Sequence, residues 1–419
     1  MGYALAVVFI VLLVIGLPIG LALGLGSLAS ISFFSSVPLE IVVQRLISGI
    51  RSFPLLAIPL YILAGALMNS SGITQRLVDF AFAILGGIRG GLAHVTILTT
   101  AIFGGISGSQ VADTASVGRL MIPQMVSRGY SRPYAVSVMA TAGAIFVTIP
   151  PGISLILYGV LAQVSISEMF SWGLLIGLGS VVAMLLLAYV MAVIHKQPKE
   201  AWLPFRQVLV SMRRAVWALL IPVVVLGGIR VGAFTPTEGG AVAVLLALII
   251  GFFIHRQLTV KEVVRALVES SVLVGVIMLV IAAAQMYSWA LISGQIPQAL
   301  TSGILGVSPD PLIILLLINV VALLVGTVME GNSALIVLVP ILLPIASALG
   351  IDPIHLGLIL VVNLGIGLLT PPVGMCMLVA AKIGKLEVSR VIPAMVPWFI
   401  LSLAILLAVT YLPILLGWV

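Results

Sequence analysis

Hydrophobic residues run along this chain in long blocks separated by short polar turns, and several blocks are long enough to be membrane helices. Met169–Ile194 carries no charge, and Phe53–Met68, Ala215–Ile229, Gly239–Ile254, Val264–Tyr287 and Val391–Leu416 are apolar spans of the same kind. Tyr3–Phe34 is broken at Leu17-Pro18, which predicts one kinked span or two short ones. Met1–Ile10 has no basic leader, so this run reads as a retained helix and not a signal peptide. Glu40–Arg51 is polar enough for an interface, Thr74–Ile88 is amphipathic, and Ser288–Val307 is interrupted by Gly and Pro.

Two blocks are cut by adjacent prolines: Gly143–Leu155 at Pro150-Pro151 and Asn363–Met375 at Pro371-Pro372. Proline donates no backbone hydrogen bond and pushes the preceding residue out of the helical region. A span cut this way leaves unpaired backbone groups, which hydrocarbon tolerates only where they face protein or a wet cavity. A hairpin-like run precedes each break. Gly91–Met121 has Ser107-Gly108-Ser109-Gln110 and Asp113 at its centre, and Pro311–Leu349 has Gly326–Ser333.

Sliding the chain by 221 residues superposes the two proline pairs and brings Gly105 onto Gly326, Pro123 onto Pro344 and Gly129 onto Gly350. Charge supplies an independent constraint. The first hairpin is flanked by Arg89, Arg128 and Arg132, the second only by Asp310 and Asp352. Basic flanks belong to the cytoplasmic side, as does the Lys- and Arg-rich loop His195–Arg214, so the halves are expected to enter the membrane from opposite faces. The fold expected is an all-α polytopic membrane protein with an inverted repeat of two re-entrant helical hairpins and two Pro-Pro-broken helices.

Composition excludes the other classes. Hydrophobic residues make up 62% and charged residues 7%, and the mean hydropathy of +1.34 is that of a membrane protein. The net charge of +7 comes from cations between spans and calls for no nucleic acid. Cys376 is alone, and His94, His195, His255 and His355 share no metal-ligand spacing.

The chemistry is expected at the tips and breaks. Sodium is held by carbonyl, hydroxyl and carboxylate oxygens; broken helices offer the first, and Ser107, Ser109, Thr327 and Thr370 the second. Half-helix N-termini suit a substrate carboxylate. The bland reading of so many small residues is close helix packing. Asp113 and Glu330 are intramembrane carboxylates and so candidates by default, although Asp113 also reads as a cap for the second arm. Gln110, Asp113, Asn332, Ser333 and Asn363 are candidate substrate contacts, and Glu238 reads as a helix N-terminal group. An intramembrane serine protease is the enzymatic rival, because Gly105-Ile-Ser-Gly108 fits a nucleophile pattern, yet no histidine falls mid-membrane to serve as its base. A channel is the other rival, which leaves the inversion without a reason.

The stretches SGSQVAD (107–113), MIPQMVSRGY (121–130), IPPGISLILYG (149–159), FTPTEGGAVAV (234–244) and the long run 340–374 resemble the large membrane subunit of tripartite ATP-independent periplasmic (TRAP) transporters. The resemblance implies sodium-driven uptake of an organic acid such as sialic acid or a dicarboxylate, by an elevator mechanism in the bacterial inner membrane, with no organic cofactor. It also implies two partners, a small four-helix membrane subunit and a periplasmic substrate-binding protein. One sodium site would take Ser107 and Ser109 with carbonyls near Phe146, Ile149 and Pro151. The repeat-related site would take Gly326, Thr327 and Glu330 with Gly367, Thr370 and Pro372. The resulting layout places scaffold spans and an interfacial helix at 1–88, and the first hairpin and broken helix of a transport domain at 89–165. Central scaffold spans with the cytoplasmic loop follow at 166–265, and a span with an interfacial segment at 266–307. The second hairpin and broken helix take 308–385, and a last span 386–419.

Overall fold

The computed structural model describes residues 2–417 apart from 35–36, 39, 297, 300–301, 304–309 and 372. Every named element is helical. The first apolar block forms two helices, α1 (Gly2–Val14) and α2 (Ile19–Phe34), because Gly16 adopts φ +93° just ahead of Pro18. The amphipathic stretches become α3 (Glu40–Ile50) and α5 (Ile73–Leu85), flanking α4 (Ala57–Ser70). The two arms of the first hairpin are α6 (Gly91–Ser107) and α7 (Gln110–Ser127). The first broken helix is α8 (Arg132–Ile145), a short 3-10 turn over Phe146–Thr148, and α9 (Ile153–Ala162).

Long helices α10 (Ile166–Ile194), α11 (Phe205–Arg230), α12 (Pro236–Ile249) and α13 (Val260–Ser293) follow. The expected loop His195–Arg214 is therefore shorter than its charge suggests. Its second half, with Arg206, Arg213 and Arg214, is the start of α11, since Pro204 initiates a helix that cations on an exposed face do not disturb. Likewise Ser288–Ser293 continues α13, while much of the remaining expected interfacial segment lies outside the described residues. Glu238 takes the expected N-terminal role. Its Oε2 accepts from the Thr235 N–H at 2.7 Å, and Thr235 Oγ1 accepts from the Glu238 N–H at 3.2 Å.

The second hairpin is α14 (Pro311–Val328) with α15 (Gly331–Ala348), and the second broken helix is α16 (Pro353–Gly367) with α17 (Met375–Ile383); α18 (Val388–Leu415) ends the fold. The helix ends repeat at the offset seen in sequence. Ser107 and Val328 close the first arms, Gln110 and Gly331 open the second arms, and Arg132 and Pro353 open the broken helices, each pair 221 residues apart. Nine helical segments among the described residues are long and apolar enough to cross a membrane. Their burial divides them. The most apolar stretch of 132–162 is 94% buried, against 28% or less for α10, α11, α13 and α18. The broken helix is thus sheathed in protein, where its unpaired backbone is tolerable, and the long helices present Leu175, Leu186, Val223 and Val272 outward.

Candidate functional site

Each hairpin tip meets the break of its own half. In the first, Gly108 takes φ +63° to end α6. A methyl on Gly105 would lie 3.0 Å from the Pro150 carbonyl oxygen, and one on Gly108 3.0 Å from that of Pro151. Only glycine lets the tip backbone come so near. The Ser107 hydroxyl donates to Asp113 and accepts from the Ser109 N–H at 3.2 Å. Asp113 Oδ2 and the Phe146 carbonyl both flank Gly104, and the Phe146 carbonyl also accepts from the Ile149 N–H at 3.0 Å. Ile149 meets Gly105 through its side chain. Ser107, Ser109, Asp113, Phe146, Ile149 and Pro151 therefore gather at one place. Asp113, buried with its carboxylate on Ser107, does not cap α7. The carboxylate, hydroxyl and carbonyls form an oxygen-rich cluster of the type hard cations prefer.

The second half is built alike with different side chains. A methyl on Gly367 would collide across the contact, 2.5 Å from the Gly326 carbonyl carbon, and one on Gly326 would crowd the Gly367 Cα at 3.3 Å. The Val373 N–H donates to the Thr327 carbonyl at 3.3 Å, so tip and break are directly bonded. Thr327 and Thr370 return their hydroxyls to the carbonyls of Leu324 and Ile366 at 2.7 and 3.1 Å. Glu330 is the N-cap of α15, accepting from Ser333 N–H at 3.1 Å and from Asn332 Nδ2 at 3.0 Å. Its counterpart across the repeat is Ser109, the N-cap residue of α7. Pro372 lies outside the described residues.

The halves are joined at their centre. Gln110 Nε2 donates to the Ala144 carbonyl at 2.9 Å, and Gly331 and Gly365 of the second half lie beside the same amide. Ser154 of α9 donates to Asn332 Oδ1 at 2.8 Å. Asn363 goes elsewhere. Fully buried, its Nδ2 donates to the carbonyl and the side-chain oxygen of Asn319, both at 2.9 Å, and Asn319 in turn donates to Thr410. A buried amide needs partners for its donors, and those on α14 are the ones in reach.

Beside the first tip a cavity of about 230 Å³ opens between α4, α7 and α13, lined by Ser107, Ser109, Ser116, Asn69, Glu269 and Ser270. Sequence reasoning passed over Asn69, Ser116, Ser154 and Glu269. Of these Glu269 carried a signal, a carboxylate within the apolar run Val264–Tyr287.

Residues 6–415 match the family described as "Tripartite ATP-independent periplasmic transporter, DctM component". The chain belongs to that family. DctM components are transporter permeases and not enzymes, which disposes of the protease rival; this one is a multi-pass protein of the bacterial inner membrane. Locally, Ser107 pairs with a carboxylate, while the nearest histidine in sequence, His94, pairs with the Gly90 carbonyl. The chain is 38% identical to the C4-dicarboxylate TRAP transporter large permease protein DctM of Pseudomonas aeruginosa, across 94% of this chain and 92% of that one. It is 37% identical to the sialic acid TRAP transporter large permease protein SiaM of Vibrio cholerae, across 93% and 92%. With the isethionate TRAP transporter permease protein DctMQ of Oleidesulfovibrio alaskensis it shares 39% identity over 97% of this chain, spanning 64% of that longer protein. The fold is similar to the crystal structure of the Alcanivorax borkumensis YdaH transporter, with a TM-score of 0.66 at 15% identity and 99% of both chains covered.

Proposed function

We propose that this DctM-family chain is the sodium-coupled large permease subunit of a three-part importer of an organic anion. The observation that carries the reading is the doubled contact between tip and break: Gly105 and Gly108 on the Pro150 and Pro151 carbonyls, and Gly326 and Thr327 on Gly367 and Val373. Broken helices in corresponding positions of two halves are where secondary transporters hold substrate and ions. Ser107, Ser109 and Asp113 with the carbonyls of Phe146 and Pro151 supply oxygens for one sodium ion. Gly326, Thr327, Gly367 and Thr370 supply those for a second, and sodium travels as co-substrate. Gln110, Asn332 and Ser333, between the two clusters, are the groups offered to the anion.

The substrates named for the relatives, a C4-dicarboxylate, sialic acid and isethionate, are all organic anions. Because isethionate is a sulfonate, the class is wider than carboxylates. The flanks support an inverted arrangement, with Arg128 after α7 and Arg132 opening α8 but Asp352 between α15 and α16. In this reading 89–165 and 308–385 move together as an elevator against the scaffold. A periplasmic binding protein delivers the anion, and a small membrane subunit completes the scaffold, a role suited to the part of the isethionate relative that this chain does not span.

The test is reconstitution in liposomes under an inward sodium gradient. Concentrative uptake is expected only with all three components present and with sodium outside. Concentrative uptake by this chain alone would make it a stand-alone symporter, and uptake that merely equilibrates would make it a channel.

A further inference from the structure

A second polar concavity lies far along the chain from the tips, where the start of α5, the first turns of α11 and the turn after α12 come together around about 630 Å³. Arg76, Arg213, Arg214 and His255 line it, with Asp79 as the one carboxylate among them. Asp79 accepts from Gln75 at 2.9 Å and forms no ion pair with the arginines; among the described residues the ion pair is Arg128 with Glu200. Arg76 is half-buried and held in place by the Gly72 carbonyl at 2.9 Å and Gln257 Oε1 at 3.2 Å. Burial first, and the Arg214 guanidinium second, push Arg76 below its ordinary value, and the nearby Asp79 carboxylate opposes them without reversing the shift. His255 donates from Nδ1 to the Ser71 carbonyl at 3.2 Å, while its buried Nε2 has no partner.

Three arginines against one carboxylate leave the lining net positive, and guanidinium forks match the oxygens of a phosphate group, which they can bind in pairs. Two features select a lipid as its source. Trp217 and Val210, on α11 beside the arginines, are 41% and 45% exposed and offer apolar surface to an acyl chain. Tryptophan and arginine at the end of a span also mark the headgroup level of a bilayer. We infer that this concavity binds the headgroup of an anionic phospholipid, clamped between α5 and α11. The site is separate from the transport path and stands whether or not uptake is sodium-coupled.

Native mass spectrometry of the purified chain tests this, with phosphatidylglycerol, phosphatidylcholine and inorganic phosphate as separate probes. A cation near the membrane surface contributes about fivefold in affinity. Arg213→Gln/Arg214→Gln should therefore retain phosphatidylglycerol roughly thirtyfold less well, with phosphatidylcholine retention unchanged. Asp79→Asn, which removes the opposing charge without touching the arginines, should retain phosphatidylglycerol better than the parent and covers the case of a misfolded double variant. Equal retention of the two lipids by the parent chain, or phosphatidylglycerol retention indifferent to both variants, overturns the assignment. So does arginine-dependent binding of inorganic phosphate that phosphatidylglycerol fails to displace, which would make the ligand a soluble anion.

Discussion

Ser154 and Asn332, 178 residues apart, are joined by a 2.8 Å hydrogen bond from the serine hydroxyl to the amide oxygen. Ser154 lies in the first turn of the helix after the first break and Asn332 in the first turn of the second arm of the other hairpin, so one bond spans the two repeats. The Asn332 amide also holds Glu330 Oε1 at 3.0 Å, making Asn332 the link between a cap and the opposite half. Asn332→Ala removes both, Ser154→Ala only one. A double-mutant cycle on thermal unfolding in detergent should give a coupling of about 1 kcal/mol. Strict additivity would mean that the halves are not tied here.

Ser107→Ala takes away the hydroxyl that Asp113 holds. If this pair ligates sodium, half-maximal uptake should need about tenfold more sodium, the loss of one charge-assisted contact. Substrate affinity at saturating sodium should change far less. Wild-type sodium dependence in an inserted variant would remove the first site from this tip.

Gly367 and Gly275 form a matched pair. A methyl at Gly367 meets Gly326 backbone at 2.5 Å, which cannot rotate away, whereas at Gly275 nothing lies within 4 Å. Gly367→Ala should destabilise by about 1–3 kcal/mol and lower uptake. Gly275→Ala should leave both at wild-type levels or slightly raise the melting temperature. Equal melting temperatures for the two would contradict the close approach of tip and break.

Topology is open to labelling. In a Cys376→Ala background, Lys261→Cys should react with an impermeant thiol reagent only from the cytoplasm and Asp310→Cys only from the periplasm. Cys376 is buried, so its removal lowers background without touching the surface. Reaction of both from one side would end the inverted arrangement.

Much of the architecture was legible along the chain because its cause is local. A proline pair interrupts a helix wherever it stands, and each tip, Ser107-Gly108-Ser109 and Val328-Met329-Glu330, ends one at the same offset. That is why the helix ends recur 221 residues apart, as the proline pairs do. Charge misled where it was read as loop. Arg206, Arg213 and Arg214 are on α11, since a helix accepts cations on a face that meets water or headgroups.

The partners of individual polar groups came only with the tertiary structure. Sequence alone determined that a break follows each tip, that small residues form the tips, and that carboxylates stand nearby. Nothing local distinguishes Asn332, which reaches Ser154 across the repeat, from Asn363, which is drawn to Asn319. Nor does it say that Gln110 sits between the halves or that Glu269 lines the cavity beside Ser107. Backbone interruption is a property of a few consecutive residues. The pairing of a buried amide or carboxylate depends on whichever donors and acceptors distant helices bring within 3 Å or so, and only the packed fold decides that.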